Sequence, residues 1–267
     1  MIHLIVQHGA IESHKRHEEF YNYLRDSFGS QIVISCMDLV GHGLSGGSRA
    51  YIEKFDHYVE DFLKFSRIFH HLYQFHDVET HLLGHSLGGM ILIKALVDKS
   101  DQIPFNISSL ILSNPCIKPK IQLPRFVNTL SLKLSSKLGK LRLPSLYNGF
   151  NLTSDRARAI AFNHDPLNSQ FMTINMGIEI MKTSKIITPY SYYLKLPTFF
   201  LLSGEDEVVD VEKTKLFIGG LDKTKTKELY YSNAKHDLLN EKDRESIFQE
   251  IVEYIKNKEW EQQCKST

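Results

Sequence analysis

With 267 residues and 42% hydrophobic content, the chain is long enough to bury a sizeable core as one domain. Its 32 Lys and Arg against 31 Asp and Glu leave a formal charge of +1, so no global field draws in nucleic acid, which is set aside as a partner. Cys36, Cys116 and Cys264 are far apart and lack CxxC spacing, which argues against a disulfide framework or a zinc site.

The opening run "MIHLIVQHGA" is too short for a signal-peptide core with a cleavage site, and no later run approaches the ~20 apolar residues of a membrane span. A soluble, cytoplasmic chain is expected, and the sequons at Asn106 and Asn151 then read as chance matches. "IHLIVQ" is the first strand, followed by "QIVISCM", "VETHLLG", "SSLILSN", "PTFFLLSG" and "KELYYSN". Several are apolar on both faces, as strands inside a parallel sheet are. Helical patterns fall between them at about Lys15 to Phe28, Ile52 to Tyr73, Leu87 to Asp98, Val211 to Ile218 and Asp243 to Lys256. This alternation predicts an α/β fold, a mostly parallel sheet with helices on both faces. The interval from Pro115 to about Lys195 shows no clear strand and is longer than a crossover needs. It predicts a helical lid, residues 115–195, inserted within a single domain spanning 1–267.

"GHSLGG" sets Ser86 in a GxSxG pattern between a strand candidate and the apolar helix candidate "GMILIKALV". In such a turn the glycines relieve crowding, and the following helix aims its N-terminus at the serine. A serine hydroxyl is a weak nucleophile until a base takes its proton and a carboxylate orients that base. The chain order of hydrolases with this turn is Ser, then Asp or Glu, then His, and only His164 and His236 follow Ser86. His164 falls in the expected lid; His236 lies in "YYSNAKHDLLNEKD", after the last strand, and is the candidate base. Glu205, Asp206, Glu207 and Asp210 crowd the loop after "PTFFLLSG". Asp206 is the preferred acid, with Glu205 and Asp210 as the main alternatives. Backbone N–H groups of Ala10, in "VQHGAIE", and of Leu87 are the candidate oxyanion donors.

Together "HGAIE", "MDLVGHGLSGG", "GHSLGG", "FNHDPL", "PTFFLLSGEDEVVD" and "KHDLLNE" resemble the monoacylglycerol lipase and lysophospholipase family of serine hydrolases over nearly the whole chain. The resemblance implies the α/β-hydrolase fold, a triad of Ser86, Asp206 and His236, oxyanion amides at Ala10 and Leu87, and no cofactor. It further implies hydrolysis of single-acyl-chain esters through an acyl-enzyme. Two departures stand out: the sequence starts directly with the strand before "HGAIE", so the sheet edge is expected to be shorter, and the lid matches only loosely. Rival readings are a broad carboxylesterase or thioesterase acting on small acyl substrates, and a low-turnover ligand-binding receptor on the same fold.

From Ile117 through Phe150 the chain carries Lys and Arg but no Asp or Glu, with Leu130, Leu134, Leu138 and Leu141 at helical spacing. Two readings carry equal weight here: a basic amphipathic surface contacting anionic membrane, or a lid helix with its charges in water. His14 and His17 read as surface histidines on an exposed helix, because neither belongs to an HExxH pattern.

Overall fold

The computed structural model describes residues 1–73, 78–120, 138–258 and 261. Within them lie eight strands: β1 (Ile2–Gln7), β2 (Ile32–Cys36), β3 (Glu79–His85), β4 (Ile107–Ser113), β5 (Arg142–Pro144), β6 (Phe171–Thr173), β7 (Thr198–Ser203) and β8 (Thr226–Tyr231). Six of them form one sheet in the order β2-β1-β3-β4-β7-β8, with every neighbouring pair parallel. These are the six apolar runs of the sequence. Strand β2 is the edge on that side.

The reason these runs are apolar on both faces is that alternate residues feed two separate cores. On one face Ile5, Leu82, Leu110, Leu112, Phe200 and Leu202 pack with helices α2 (Asp56–Tyr73) and α3 (Leu87–Asp98). On the other, Leu4, Val6, Leu83, Ile111, Phe199 and Leu201 meet α1 (Glu18–Phe28) and the last helix, Arg244–Lys256. Phe20 and Phe248 join those two helices, ring centroids 5.1 Å apart. Helix α3 is apolar around most of its circumference and buried from Leu87 through Leu96, because it lies between the sheet and the insertion.

After β1 the chain turns to one side of the sheet to form β2, then crosses to the other to form β3. A crevice opens at such a reversal, at the carboxyl ends of the strands. The loop after β1 and the turn after β3 both face it.

Between β4 and β7, where the sequence shows no clear strand, the described residues hold a short strand pair beside the helices. The helices Gly149–Leu152, Arg156–His164 and Ile174–Ile187 are accompanied by an antiparallel pair, β5 with β6. Three-residue strands are too short to show a period of two, which hides them from pattern reading. Leu130 and Leu134 of the basic stripe lie outside the described residues. The insertion is fixed to the body on two sides. Thr173 Oγ1 donates to the Ala50 carbonyl (2.6 Å) and Glu179 accepts from Phe55 N–H (3.0 Å). Opposite them, Thr153 Oγ1 donates to the Asn240 carbonyl (2.7 Å) and Asp237 N–H to that of Leu152 (2.8 Å). Among the described residues no helix is long and apolar enough to cross a membrane.

The sheet also buries polar groups. His3 Nε2 bonds to Ser35 Oγ at 2.9 Å and His81 Nδ1 to Ser109 Oγ at 2.8 Å. Burial pushes both rings down from the ordinary 6.5 to about 4. An unfolded chain therefore takes up protons on these rings at a higher pH than the folded one, and their contribution to stability is lost as pH falls from 6.5 towards 4. Thermal melting is expected at a lower temperature near pH 5 than near pH 7, and His81→Gln, which keeps a polar partner for Ser109 but cannot titrate, should flatten that decline.

Candidate active site

Ser86 sits between β3 and α3 with φ of 51°, a left-handed conformation that is costly for a residue with a Cβ. Its neighbours hold it there. Ser86 N–H donates to the Ser113 carbonyl (3.0 Å), and Cys116 N–H donates to the Ser86 carbonyl (2.9 Å). The glycines of the motif permit close approach: a Cβ on Gly88 would lie 2.1 Å from the Gln7 carbonyl oxygen, and one on Gly84 would lie 2.6 Å from the Gly89 Cα. Leu87 opens α3, whose first N–H groups have no acceptor within the helix and carry the positive end of its dipole.

His236 and Asp206 meet although 30 residues separate them. His236 Nδ1 lies 2.6 Å from Asp206 Oδ2, both side chains shielded from water, while Asp206 Oδ1 accepts from the N–H groups of Val208 (2.7 Å) and Val209 (2.9 Å). Burial alone would raise the Asp206 carboxyl, but the imidazole and the two amides outweigh it and hold the group below the usual carboxylate range. For His236 burial would lower the ring, and the facing carboxylate outweighs that and raises it above 6.5. The three neighbouring carboxylates do other things. Glu205 is exposed, Glu207 accepts from Asn151, and Asp210 caps the helix Val211–Gly219. His164 is exposed in the insertion with Nδ1 against the Ile160 carbonyl.

The loop after β1 is built by polar contacts that the sequence did not expose. His8 Nδ1 lies 2.7 Å from the Gly9 carbonyl oxygen while Nε2 accepts from Leu39 N–H (3.0 Å), so the ring serves as a brace for the turn. Gly9 N–H donates to Glu12 Oε1 (2.6 Å), and that oxygen lies 3.3 Å from His17 Nε2. Here the surface reading of His17 fails: the residue is buried, 1% exposed, because the helical turn carrying it folds under the β1 loop. Burial would lower the His17 ring, yet Glu12 raises it; burial would raise Glu12, yet His17 draws it below its ordinary value. Beside them Arg16 Nε donates to buried Asp237 (2.9 Å), and burial pushes the ring of His85 down to about 4.

Two spaces share Ser86 in their lining. A small chamber of about 30 Å³ is lined by Glu12, His85, Ser86 and His236 among others. A second cavity of about 530 Å³ is lined by Ala10, Ser86 and Leu87 on the body and by Leu143, Ile180 and Met181 on the insertion. Ala10, Tyr147 and Val208 belong to both. Ser86 and Ala10 line both spaces, His236 the small one and Leu87 the large one, while Asp206 stands behind His236, although these residues come from four separate loops. Glu12 had a signal in "HGAIE", whereas Tyr147 had none, since its position depends on a short helix within the insertion. Among the described residues no group of three or more His, Cys, Asp or Glu could hold a metal ion.

Residues 2–243 match a family model described as serine aminopeptidase, S33. A phospholipase of Bacillus subtilis, YtpA, is 27% identical over 92% of this chain and 91% of its own length. The monoglyceride lipase of Mus musculus is 28% identical over 89% of this chain and 76% of its own. Among solved structures, the monoacylglycerol lipase of Paleococcus ferrophilus has a TM-score of 0.80 at 20% identity, covering 94% of this chain and 93% of that one. A soluble variant of the monoglyceride lipase of Saccharomyces cerevisiae, in complex with a substrate analog, has 0.77 at 18%, covering 94% and 85%. The six-stranded parallel sheet, the strained serine turn and the match over residues 2–243 agree: the chain belongs to the serine aminopeptidase S33 family, with the α/β-hydrolase fold and a resemblance to monoacylglycerol lipases along nearly its whole length.

Proposed function

We propose that the protein is a serine hydrolase that cleaves the ester of a single-acyl-chain lipid through an acyl-enzyme. The observation that supports this reading is the buried His236–Asp206 contact, with His236 and Ser86 lining the same small chamber and Ser86 also lining a large apolar cavity. Asp206 holds the imidazole by Nδ1, so that Nε2 is the nitrogen to take the Ser86 proton as the hydroxyl attacks the ester carbonyl. The Ala10 and Leu87 amides would receive the oxyanion, the alcohol leaves with the proton from His236, and water, activated by the same imidazole, releases the acid. The apolar cavity takes the acyl chain. The insertion over it, residues 115–195 in the sequence reading, acts as a lid.

Charge favours a neutral leaving alcohol over a phosphate headgroup. The Glu12 carboxylate at the small chamber is already paired with His17, and neither space is lined by Lys or Arg among the described residues. A phosphate there would shed its hydration with no cationic side chain lining the space to compensate it. A monoacylglycerol fits this better than a lysophospholipid, and a small-acyl esterase would leave the 530 Å³ cavity unfilled.

A serine-directed phosphonate is expected to label the native chain and not Ser86→Ala. With acyl chain held equal, fatty acid release from monoacylglycerol should exceed that from lysophosphatidylcholine by about tenfold or more. Specificity should rise about fourfold per added methylene until the cavity is full, at about 0.8 kcal/mol each. Labelling without sustained turnover on any ester would favour a receptor instead.

The pH profile supplies a second test. Catalysis needs neutral His236, whose pKa is raised, so the rising limb of kcat/KM should have its midpoint above 6.5. Asp206→Asn should cut kcat by about 10⁴-fold and move the midpoint of residual activity down, because the charge that raises the ring is gone.

The basic stretch 117–150 gives a further proposal, a peripheral contact with anionic membrane. Leu141, Leu146 and Phe150 are exposed in the same stretch of sequence as Lys140 and Arg142, whereas Lys120 Nζ is bonded to the Asp206 carbonyl and is not available to lipid. Sedimentation with vesicles should show stronger binding to anionic than to neutral lipid, weakened by Lys140→Glu with Arg142→Glu. Equal binding to both would remove the electrostatic contact.

A further inference from the structure

Immediately after β4, Asn114 occupies a conformation that few residues with a side chain adopt, φ of 41°, and is completely buried. Its amide makes three contacts. Nδ2 donates to the His236 carbonyl (2.7 Å) and to Ser203 Oγ (2.6 Å), and Oδ1 accepts from Ser203 N–H (2.9 Å). The Ser203 hydroxyl passes the connection on, donating to the Lys235 carbonyl at 2.5 Å. Asn114 N–H donates to the Leu201 carbonyl (2.9 Å), which prolongs the β4–β7 pairing by one residue.

The flanking residues hold the serine. Ser113 accepts from Ser86 N–H, and Cys116 donates to the Ser86 carbonyl. Segment 113–116 therefore grips the nucleophile through its backbone and the base through one side chain. Asp206 fixes the imidazole ring, but the ring hangs from a loop, and that loop needs its own tether.

We propose that Asn114 is a positioning residue for the proposed reaction: its amide sets where the His236 backbone stands relative to Ser86. Both N–H groups of Nδ2 are used, one on each partner, so no smaller side chain reproduces the geometry. The left-handed turn is what aims the amide across the sheet edge at residues 203 and 236; an extended residue there would point elsewhere. The inference rests on the reading of Ser86 and His236 as nucleophile and base.

Three variants separate this role from a merely structural one. Asn114→Gly accepts the backbone conformation and removes the amide; Asn114→Asp keeps an acceptor for Ser203 N–H but loses both donors; Ser203→Ala removes the tether to residue 235. Rates are normalised to phosphonate-titrated sites, and the titration of the His236 ring is followed by NMR, a signal that does not depend on ester turnover. Expected are a fall in kcat of about tenfold to a hundredfold for Asn114→Gly with KM little changed, a similar fall for Asn114→Asp, a smaller one for Ser203→Ala, and a downward shift of the His236 titration in Asn114→Gly and Ser203→Ala. Wild-type kcat and His236 titration in Asn114→Gly would overturn the proposal, as would a loss confined to melting temperature. Should Asn114→Gly fail to fold, Ser203→Ala decides, and an unchanged kcat and titration there overturn it. A native chain that hydrolyses no ester would sink the proposed function, while the NMR titration would still report whether the tether positions the imidazole.

Discussion

A carboxylate and an imidazole 2.6 Å apart and out of contact with water impose the main constraint on this fold. Burying either group alone is costly, so each depends on the other and on hydrogen bonds that use up the remaining lone pairs. Asp206 meets that need with two backbone amides, which requires residues 206–209 to form a tight turn. The turn is pinned in its place by the segment leaving β4: Lys120 N–H donates to the Val208 carbonyl (2.8 Å) and Asp210 N–H to that of Lys118 (2.8 Å). The acid loop and the start of the insertion are therefore one structural unit. A displacement of the insertion root would reach Asp206 through these bonds.

Beneath the β1 loop lies a second charged group of residues whose logic is similar and whose function differs. Glu12 with His17, and Arg16 with Asp237, are buried pairs. Asp237 directly follows His236 in sequence, so its pairing with Arg16 ties the base's loop to the turn before α1, while Glu12 ties down Gly9 next to Ala10. Removing one member of either pair would leave an uncompensated charge below the site, a larger penalty than the pair's own net worth. Stability and active-site geometry are thus linked through the same few side chains.

Much of the architecture was legible because the sheet is buried on both faces. Six runs such as "PTFFLLSG" alternate between two cores, so each is apolar throughout and bounded by glycine or polar residues. Ser86 and His236 can be nominated from the sequence because the GxSxG turn and a fixed chain order leave few candidates, and the contact of His236 with Asp206 agrees with the preferred acid. Other features were hidden for physical reasons. His17 looked exposed because local charge pattern reports neighbours in sequence, and its burial follows from a contact with Glu12 formed only once the turn folds beneath β1. Asn114 carries no motif, since its importance arises from bonds to residues 203 and 236, both distant along the chain. The β5–β6 pair was missed because short strands in an insertion show no periodicity.

In the proposed reaction, the environment of the large cavity gives backbone donors as much importance as the triad. Cys116 follows the strained segment after β4 and lines that cavity, and burial pushes its thiol up to about 12. Burial that disfavours a thiolate there also disfavours other anions without hydrogen-bond partners, among them the oxyanion of the proposed ester attack. Only preorganised dipoles can lift that penalty without drawing in water, and the same low polarity that penalises a bare charge strengthens each dipole aimed at it. The proposed amides at Ala10 and Leu87 come from a loop held by Glu12 and His8 and from the first residue of a buried helix, two supports that resist reorientation. In the proposed reaction an apolar cavity for an acyl chain and a rigid pair of N–H groups at its mouth are therefore complementary requirements: the first would suppress the reaction without the second.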